Sequence, residues 1–265
     1  MPVIPVTSLE APELSPYRQI KGRDPKEQGV FIVESEMLVR RAIESPLEVV
    51  SLLCADRISD RISATVNPSI PLFVAPEHLI NELLGFNFHR GIMACVRRPS
   101  MSEMTLDRLL PARTLIVCPF LTQNENLGLI LRAVAGLGAD GILISDRGAD
   151  PFSRQAVRVC TGACFHFPIA ISADIQGDLR RLKEREEMQI VSTILSPTAT
   201  PLHLFKRPPR VALLVGNEFE GLDADSLALC DHHVTIPMHH HIDSLNVAMA
   251  TGIVLHHLIN ASEMR

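Results

Sequence analysis

Four short apolar runs constrain this chain most: Thr114–Cys118 (TLIVC), Gly141–Ser145 (GILIS), Gln189–Ile194 (QIVSTI) and Val211–Val215 (VALLV). A strand with one wet face alternates apolar and polar residues, and these runs do not. Strands apolar on both faces belong to a mostly parallel sheet with helices covering each side. The intervening stretches supply the helices. Helical patterns run over Asn126–Gly138, Pro151–Cys160, Gln176–Glu187 and Asp223–Leu229, and Phe167–Ile171 reads as extended. A last strand, His233–Ile236, precedes a long apolar helix that Ser244 opens as N-cap and that runs to about Ile259. The expected fold class is α/β. On such sheets ligands sit beyond the carboxyl ends of the strands.

The N-terminal part reads as a smaller α/β unit. Strands are expected at QGVFIVES, Glu48–Cys54, Ile70–Val74 and Gly91–Val96, with helices at Glu36–Ile43 and Pro76–Leu84. It offers no cluster of polar residues suited to chemistry, so a binding role is expected of it. Arg97–Arg113 is polar and bounded by prolines, which places the junction there: residues 1–105 form one domain and 106–265 the other.

A net charge of −5 argues against a general polyanion-binding surface and leaves room for local basic patches at Tyr17–Lys26 and at Arg90, Arg97 and Arg98. The six cysteines form no CxxC pair, the pattern of reduced thiols in a cytoplasmic protein. Cys160 and Cys164 with His166 have an unusual spacing for a metal site, and the two cysteines read as buried small hydrophobes rather than ligands. The first residues lack the basic start and apolar run of a secretion signal, and no apolar run reaches the ~18 residues of a membrane span.

Three polar loops follow strands. The first is Gln123-Asn124-Glu125-Asn126-Leu127-Gly128, where Asn126 can cap the following helix. Further along that apolar helix, Arg132 must reach water, an anion or an internal carboxylate. The second is Leu214-Val215-Gly216-Asn217-Glu218-Phe219-Glu220-Gly221-Leu222, whose glycines let backbone pass close to a ligand. The third is Ile236-Pro237-Met238-His239-His240-His241-Ile242-Asp243-Ser244-Leu245-Asn246-Val247. Adjacent histidines do not converge on one ion, so no metal is expected there.

Together and in this order the loops resemble the three motifs of the SpoU/TrmH-type RNA 2′-O-ribose methyltransferases, of the SPOUT class. Asn126-Leu127-Gly128 with Arg132 resembles motif one. Leu214–Glu218 with Gly221-Leu222 resembles motif two, and Ile236-Pro237-Met238 with Ser244-Leu245-Asn246-Val247 resembles motif three. Asp150-Pro151-Phe152, Cys160-Thr161-Gly162-Ala163 and Phe167-Pro168-Ile169 also follow the family's habit. The likeness spans residues 113–260. More loosely, Gly29–Ser35 and Gly91-Ile92-Met93-Ala94 resemble the N-terminal substrate-binding domain of many members.

The resemblance implies a C-terminal trefoil knot, a homodimer, an L30e-like N-terminal RNA-binding domain and S-adenosylmethionine as cofactor, with no metal. It implies cofactor contacts at Gly216, Asn217, Ile236, Met238 and Leu245, and a reaction site of Asn126, Arg132, Glu218, Ser244 and Asn246. The activity implied is methyl transfer to a ribose 2′-hydroxyl, of ribosomal RNA more than transfer RNA. The competing reading is an RNA- or ribosome-binding protein that keeps the fold with little catalysis. Two residues depart from the family pattern, since Ser35 and His240 stand where members usually carry glycine.

Overall fold

The structure is a computed structural model that describes residues 3–18, 20, 25–217, 220–240 and 243–263. The N-terminal strands are β1 (Val3–Pro5), β2 (Val30–Glu34), β3 (Val49–Ala55), β4 (Leu72–Ala75) and β5 (Ile92–Arg97), with helices α1 (Glu36–Ile43), α2 (Ser59–Thr65) and α3 (Glu77–Leu84). The remainder carries β6 (Thr114–Cys118), α4 (Asn124–Leu137), β7 (Gly141–Ser145), α5 (Arg154–Val159), β8 (Ile169–Ser172), α6 (Ile175–Glu184) and β9 (Gln189–Thr193). It ends with β10 (Thr200–Pro201), β11 (Val211–Leu214), α7 (Ala224–Leu229), β12 (His232–Thr235) and α8 (Val247–Glu263).

The chain divides into two compact units. One comprises residues 1–100 and 152–166, the other 101–151 and 167–265. The switch at Ser100/Met101 falls inside the polar, proline-bounded stretch. The excursion of 152–166 is not visible in the sequence, because it depends on what that segment packs against.

In the first unit the strand order is β1-β4-β3-β5-β2. β4 runs parallel to β1 and β3, while β5 is antiparallel to β3 and β2. The sequence patterns anticipated neither β1 nor α2. β1 is three exposed residues at the sheet edge, where Pro5 is tolerated. Tyr17 is fully buried rather than part of a basic surface. Its hydroxyl donates to the Ser51 carbonyl (3.0 Å) and accepts from the Cys95 N–H (3.1 Å), and burial pushes its pKa up. Arg18 pairs with Glu10 and donates to the Leu9 carbonyl, so it too serves the fold. Residues 19 and 21–24 of that stretch lie outside the described residues.

Residues 152–166 join this unit through aromatic packing, the Arg154–Glu34 ion pair and a bond from Arg41 to the Thr161 carbonyl. Phe31 lies 5.1 Å from Phe152 and 6.1 Å from Phe165 between ring centroids, and Arg98 stands 5.2 Å over the Phe152 ring. Arg154, on α5, pairs with the mostly buried Glu34 and donates to the Ile20 carbonyl at 2.8 Å. Ser153 caps α5 by accepting from the Ala156 N–H.

The second unit is built on a seven-stranded sheet of order β10-β12-β9-β11-β6-β7-β8 in which each recorded pairing is parallel. β6, β7 and β11 are buried at every position, as expected of apolar runs covered on both faces. From β6 the chain goes outward through β7 to β8, then returns to build β9, β11 and β12 on the other side. The reversal lies between β6 and β11, a topological switch point where ligand crevices form. α8 packs closely on α4, where a Cβ added at Gly252 would lie 4.0 Å from the Ala133 Cβ. The two histidines that interrupt the apolar pattern of α8 are partnered: His257 Nε2 donates to the Phe205 carbonyl and His256 bonds Asn260. Among the described residues, no helix is long and apolar enough to cross a membrane.

Candidate active site

A cavity of about 730 Å³ opens in the second unit, at the carboxyl ends of β9, β11 and β12 and the start of α4. Apolar walls come from Ile194, Leu222, Val234, Ile236, Met238 and Leu245. Amide and hydroxyl groups of Gln123, Asn126, Asn217, Ser244 and Asn246 stand at its polar side. Glu220 is the one charged residue among the described residues lining it.

The Gly216 loop is tied to itself. Asn217 and Gly221 exchange backbone bonds, Asn217 N–H to Gly221 O at 2.8 Å and Gly221 N–H to Asn217 O at 3.2 Å. Gly221 turns the chain at φ +74. A Cβ on Gly216 would meet the Gly221 carbonyl carbon at 2.8 Å and its Cα at 3.0 Å. Gly216 is therefore glycine because backbone returns against it, and that return shapes the cavity wall.

Asn246 organises the opposite side. Helix α8 starts at Val247 rather than at Ser244, and the cap is the Asn246 side chain. Its Oδ1 accepts from the Ala248 N–H (2.9 Å) and the Met249 N–H (3.4 Å). Its Nδ2 donates to Asn126 Oδ1 at 2.9 Å. Asn126 in turn does not cap α4. It sits inside the first turn, 5% exposed, and its Nδ2 donates to Gln123 Oε1 at 3.3 Å. The first and third loops thus meet through side chains 120 residues apart in sequence.

The structure brings Asn126, Ser244 and Asn246 to one cavity, together with Gly216, Asn217, Ile236, Met238 and Leu245. Glu218 lies outside the described residues. Arg132 is exposed on α4, and among the described residues it has no partner and is not part of the cavity lining. Six residues of helix carry it roughly 240° around the axis from Asn126, so the two cannot share a face. Arg132 has reached water, one of the outcomes open to it from the sequence. Sequence reasoning missed Gln123, Thr193, Ile194, Leu195, Leu227 and Ala250 as cavity residues. The end of β9 carries no motif that would mark Thr193 to Leu195, and its place between β11 and β12 is a matter of strand order that no local pattern records.

His240 holds φ 58, and Ser35 in the first unit holds φ 85. Both are positions where the resemblance leads one to expect glycine, and both hold a positive φ of the kind glycine adopts most readily. Cys160 and Cys164 are buried with sulfurs 3.6 Å apart. Among the described residues, no three His, Cys, Asp or Glu side chains gather to hold a metal ion.

The model of the SpoU rRNA methylase family matches residues 113–256. An uncharacterized tRNA/rRNA methyltransferase of Mycobacterium bovis is 31% identical over 267 residues, covering 95% of this chain and 90% of that protein. A 23S rRNA (guanosine(2553)-2′-O)-methyltransferase of Bacillus subtilis is 28% identical, covering 87% of this chain and 88% of the relative. The crystal structure of an AdoMet-bound rRNA methyltransferase from Sinorhizobium meliloti superposes with a TM-score of 0.80. Its sequence identity is 25%, over 97% of this chain and 98% of that one.

Proposed function

The chain belongs to the SpoU rRNA methylase family, and from that membership and the cavity geometry we infer that it is an S-adenosylmethionine-dependent RNA 2′-O-ribose methyltransferase. The observation that carries the reading is the single cavity in which residues of all three loops converge. The relative from Bacillus subtilis named as a 2′-O-methyltransferase and the AdoMet-bound neighbour support it.

The cavity suits that cofactor. Its volume is within the ~300–1,000 Å³ usual for small-molecule sites. Its apolar walls match a nucleoside face. Its described lining holds no Lys or Arg to repel a sulfonium cation, and Glu220 favours one. Gly216, Asn217, Ile236, Met238 and Leu245 would hold the cofactor. When bound, it supplies an electrophilic methyl group.

A ribose hydroxyl is a poor nucleophile, so the residues act mainly by alignment. Fixing two reactants in line contributes up to ~7–11 kcal/mol of barrier reduction. Asn246 and Ser244, which line the cavity, are assigned to bond ribose oxygens, with Asn126 holding the Asn246 amide. Glu218 is assigned with them from the motif. Arg132 is assigned to an RNA phosphate, a role consistent with an exposed guanidinium that has no carboxylate partner among the described residues.

The RNA is inferred to be ribosomal, in the cytoplasm, with residues 1–105 as an L30e-like substrate-binding domain and 106–265 as the methyltransferase domain. A homodimer is inferred from exposed apolar residues on α4 and α8: Leu129 is 38% exposed, Met249 58% and Ile253 40%. Leu129 and Arg132 share a face of α4, three residues apart, so a dimer along these helices would bring Arg132 to the interface. The trefoil knot is inferred from the family. The return of the chain from β12, beyond β9, to lay α8 on α4 is in keeping with it.

Calorimetric titration with S-adenosylhomocysteine tests the reading. Saturable binding at one per chain, followed by labelled methyl transfer to unmodified ribosomal RNA at a ribose, is expected. Absence of both would leave the RNA-binding alternative.

A further inference from the structure

We propose that Gln123 is a positioning residue that locks the buried Asn126 carboxamide in the orientation the site requires, an inference that rests on the methyltransferase reading above. The argument starts at α8. Its first turn offers only N–H groups, so the side chain facing it must present oxygen. Asn246 Oδ1 takes the Ala248 and Met249 N–H groups, which turns Asn246 Nδ2 away from the helix. That nitrogen can meet only an acceptor, and Asn126 Oδ1 provides it at 2.9 Å. Asn126 Nδ2 must then point to another acceptor, and Gln123 Oε1 stands there at 3.3 Å.

The polarity of all three amides is thereby set by the helix terminus. Reversing any one of them would place two oxygens or two NH2 groups face to face. The relay runs from α8 to the residue just before α4 and leaves the second N–H of Asn246 Nδ2 at the cavity wall. Among the described residues that proton has no partner.

Gln123 is placed for this by its position. It occupies the N-cap of α4 with extended backbone (φ −101, ψ 117), and its carbonyl accepts the Leu127 N–H. A short Ser or Asp there would turn onto the helix backbone. The longer Gln side chain makes no cap bond and instead reaches the side chain three residues on. Asn126 is 5% exposed, so the bond to Gln123 is made away from bulk water, where a change in its acceptor is felt most.

The test compares the full-length parent with Gln123→Ala and Gln123→Glu. Glutamate keeps an acceptor for Asn126 Nδ2, and alanine removes it. For Gln123→Ala, kcat for methyl transfer to unmodified ribosomal RNA is expected to fall about tenfold, the scale of one lost buried hydrogen bond. The Kd for S-adenosylhomocysteine should stay within about threefold, because the Gly216 loop and the apolar walls are untouched. Gln123→Glu should recover most of the lost rate. Side-chain amide hydrogen exchange at Asn126 should quicken in the alanine variant and not in the glutamate one. An alanine variant as fast as the parent, or a glutamate variant as slow as the alanine one, overturns the proposal. Should the parent itself transfer no methyl group, the methyltransferase reading fails. The relay is then judged by the exchange data alone, and unchanged Asn126 exchange in Gln123→Ala overturns it.

Discussion

Replacing Ser35 by glycine should stabilise the protein, although it deletes a side chain. Ser35 holds φ 85 and ψ 147 at the junction of β2 and α1. That backbone region is close to glycine-only, and keeping another residue there costs ~1–3 kcal/mol. The Ser35 side chain makes no cap bond. The backbone bonds at this position run from Ser35 N–H to Ile92 O (3.2 Å) and from Val39 N–H to Ser35 O (2.9 Å), and glycine retains both. Against the relieved strain stands the greater freedom of glycine in the unfolded chain, ~0.5–1 kcal/mol. The net expectation for Ser35→Gly is a gain of about 1 kcal/mol. Urea unfolding should show a higher midpoint at unchanged slope, with Tm up by about 3 °C. Ser35→Ala, which keeps the Cβ, should match the parent within ~0.5 kcal/mol. A glycine variant no more stable than the alanine one would refute the strain argument.

Arg132→Ala should abolish methyl transfer while leaving S-adenosylhomocysteine affinity and stability near those of the parent, because the side chain is exposed and outside the cavity; full activity would remove it from the mechanism. Gly216→Ala should weaken S-adenosylhomocysteine binding about tenfold or more by calorimetry, since the added carbon meets Gly221 backbone at 2.8 Å and no flexible side chain can yield. Stability should rise with pH between about 7 and 9. The Cys164 thiol, with the N–H groups of Cys164, Gly162 and Ala163, holds the Cys160 pKa down to about 7 against the opposing effect of burial. The folded state then binds fewer protons than the unfolded chain, whose thiol titrates near 9, and the gain disappears as pH falls through 7. Cys160→Ser should flatten that rise in chemical denaturation. Burial pushes Cys54 to about 11 and Cys95 to about 12, so their contribution has the opposite sign and stability should decline above pH 9.

Much of this protein can be read from local pattern. The apolar runs at Thr114–Cys118, Gly141–Ser145 and Val211–Leu214 specify buried parallel strands because hydrophobic periodicity is a one-dimensional record of which faces are covered. The order of the three loops marks the family, since each is a strand end followed by residues whose chemistry is local. Short or edge elements such as β1 and α2 escaped, because three to seven residues carry too little pattern to separate them from loop.

What only the tertiary structure decided are relations between distant residues. Asn246 capping α8 while bonding Asn126, Gln123 completing that chain of amides, and residues 152–166 joining the first unit through Phe31, Phe152, Phe165 and the Glu34–Arg154 pair all depend on which surfaces meet. The same holds for Arg132. Its presence on an apolar helix was plain from the sequence, but which way it faced was decided by how α4 lies against α8 and the sheet. The sequence determines what each segment can bury, whereas the meeting of segments 120 residues apart is set by the global packing that buries them together.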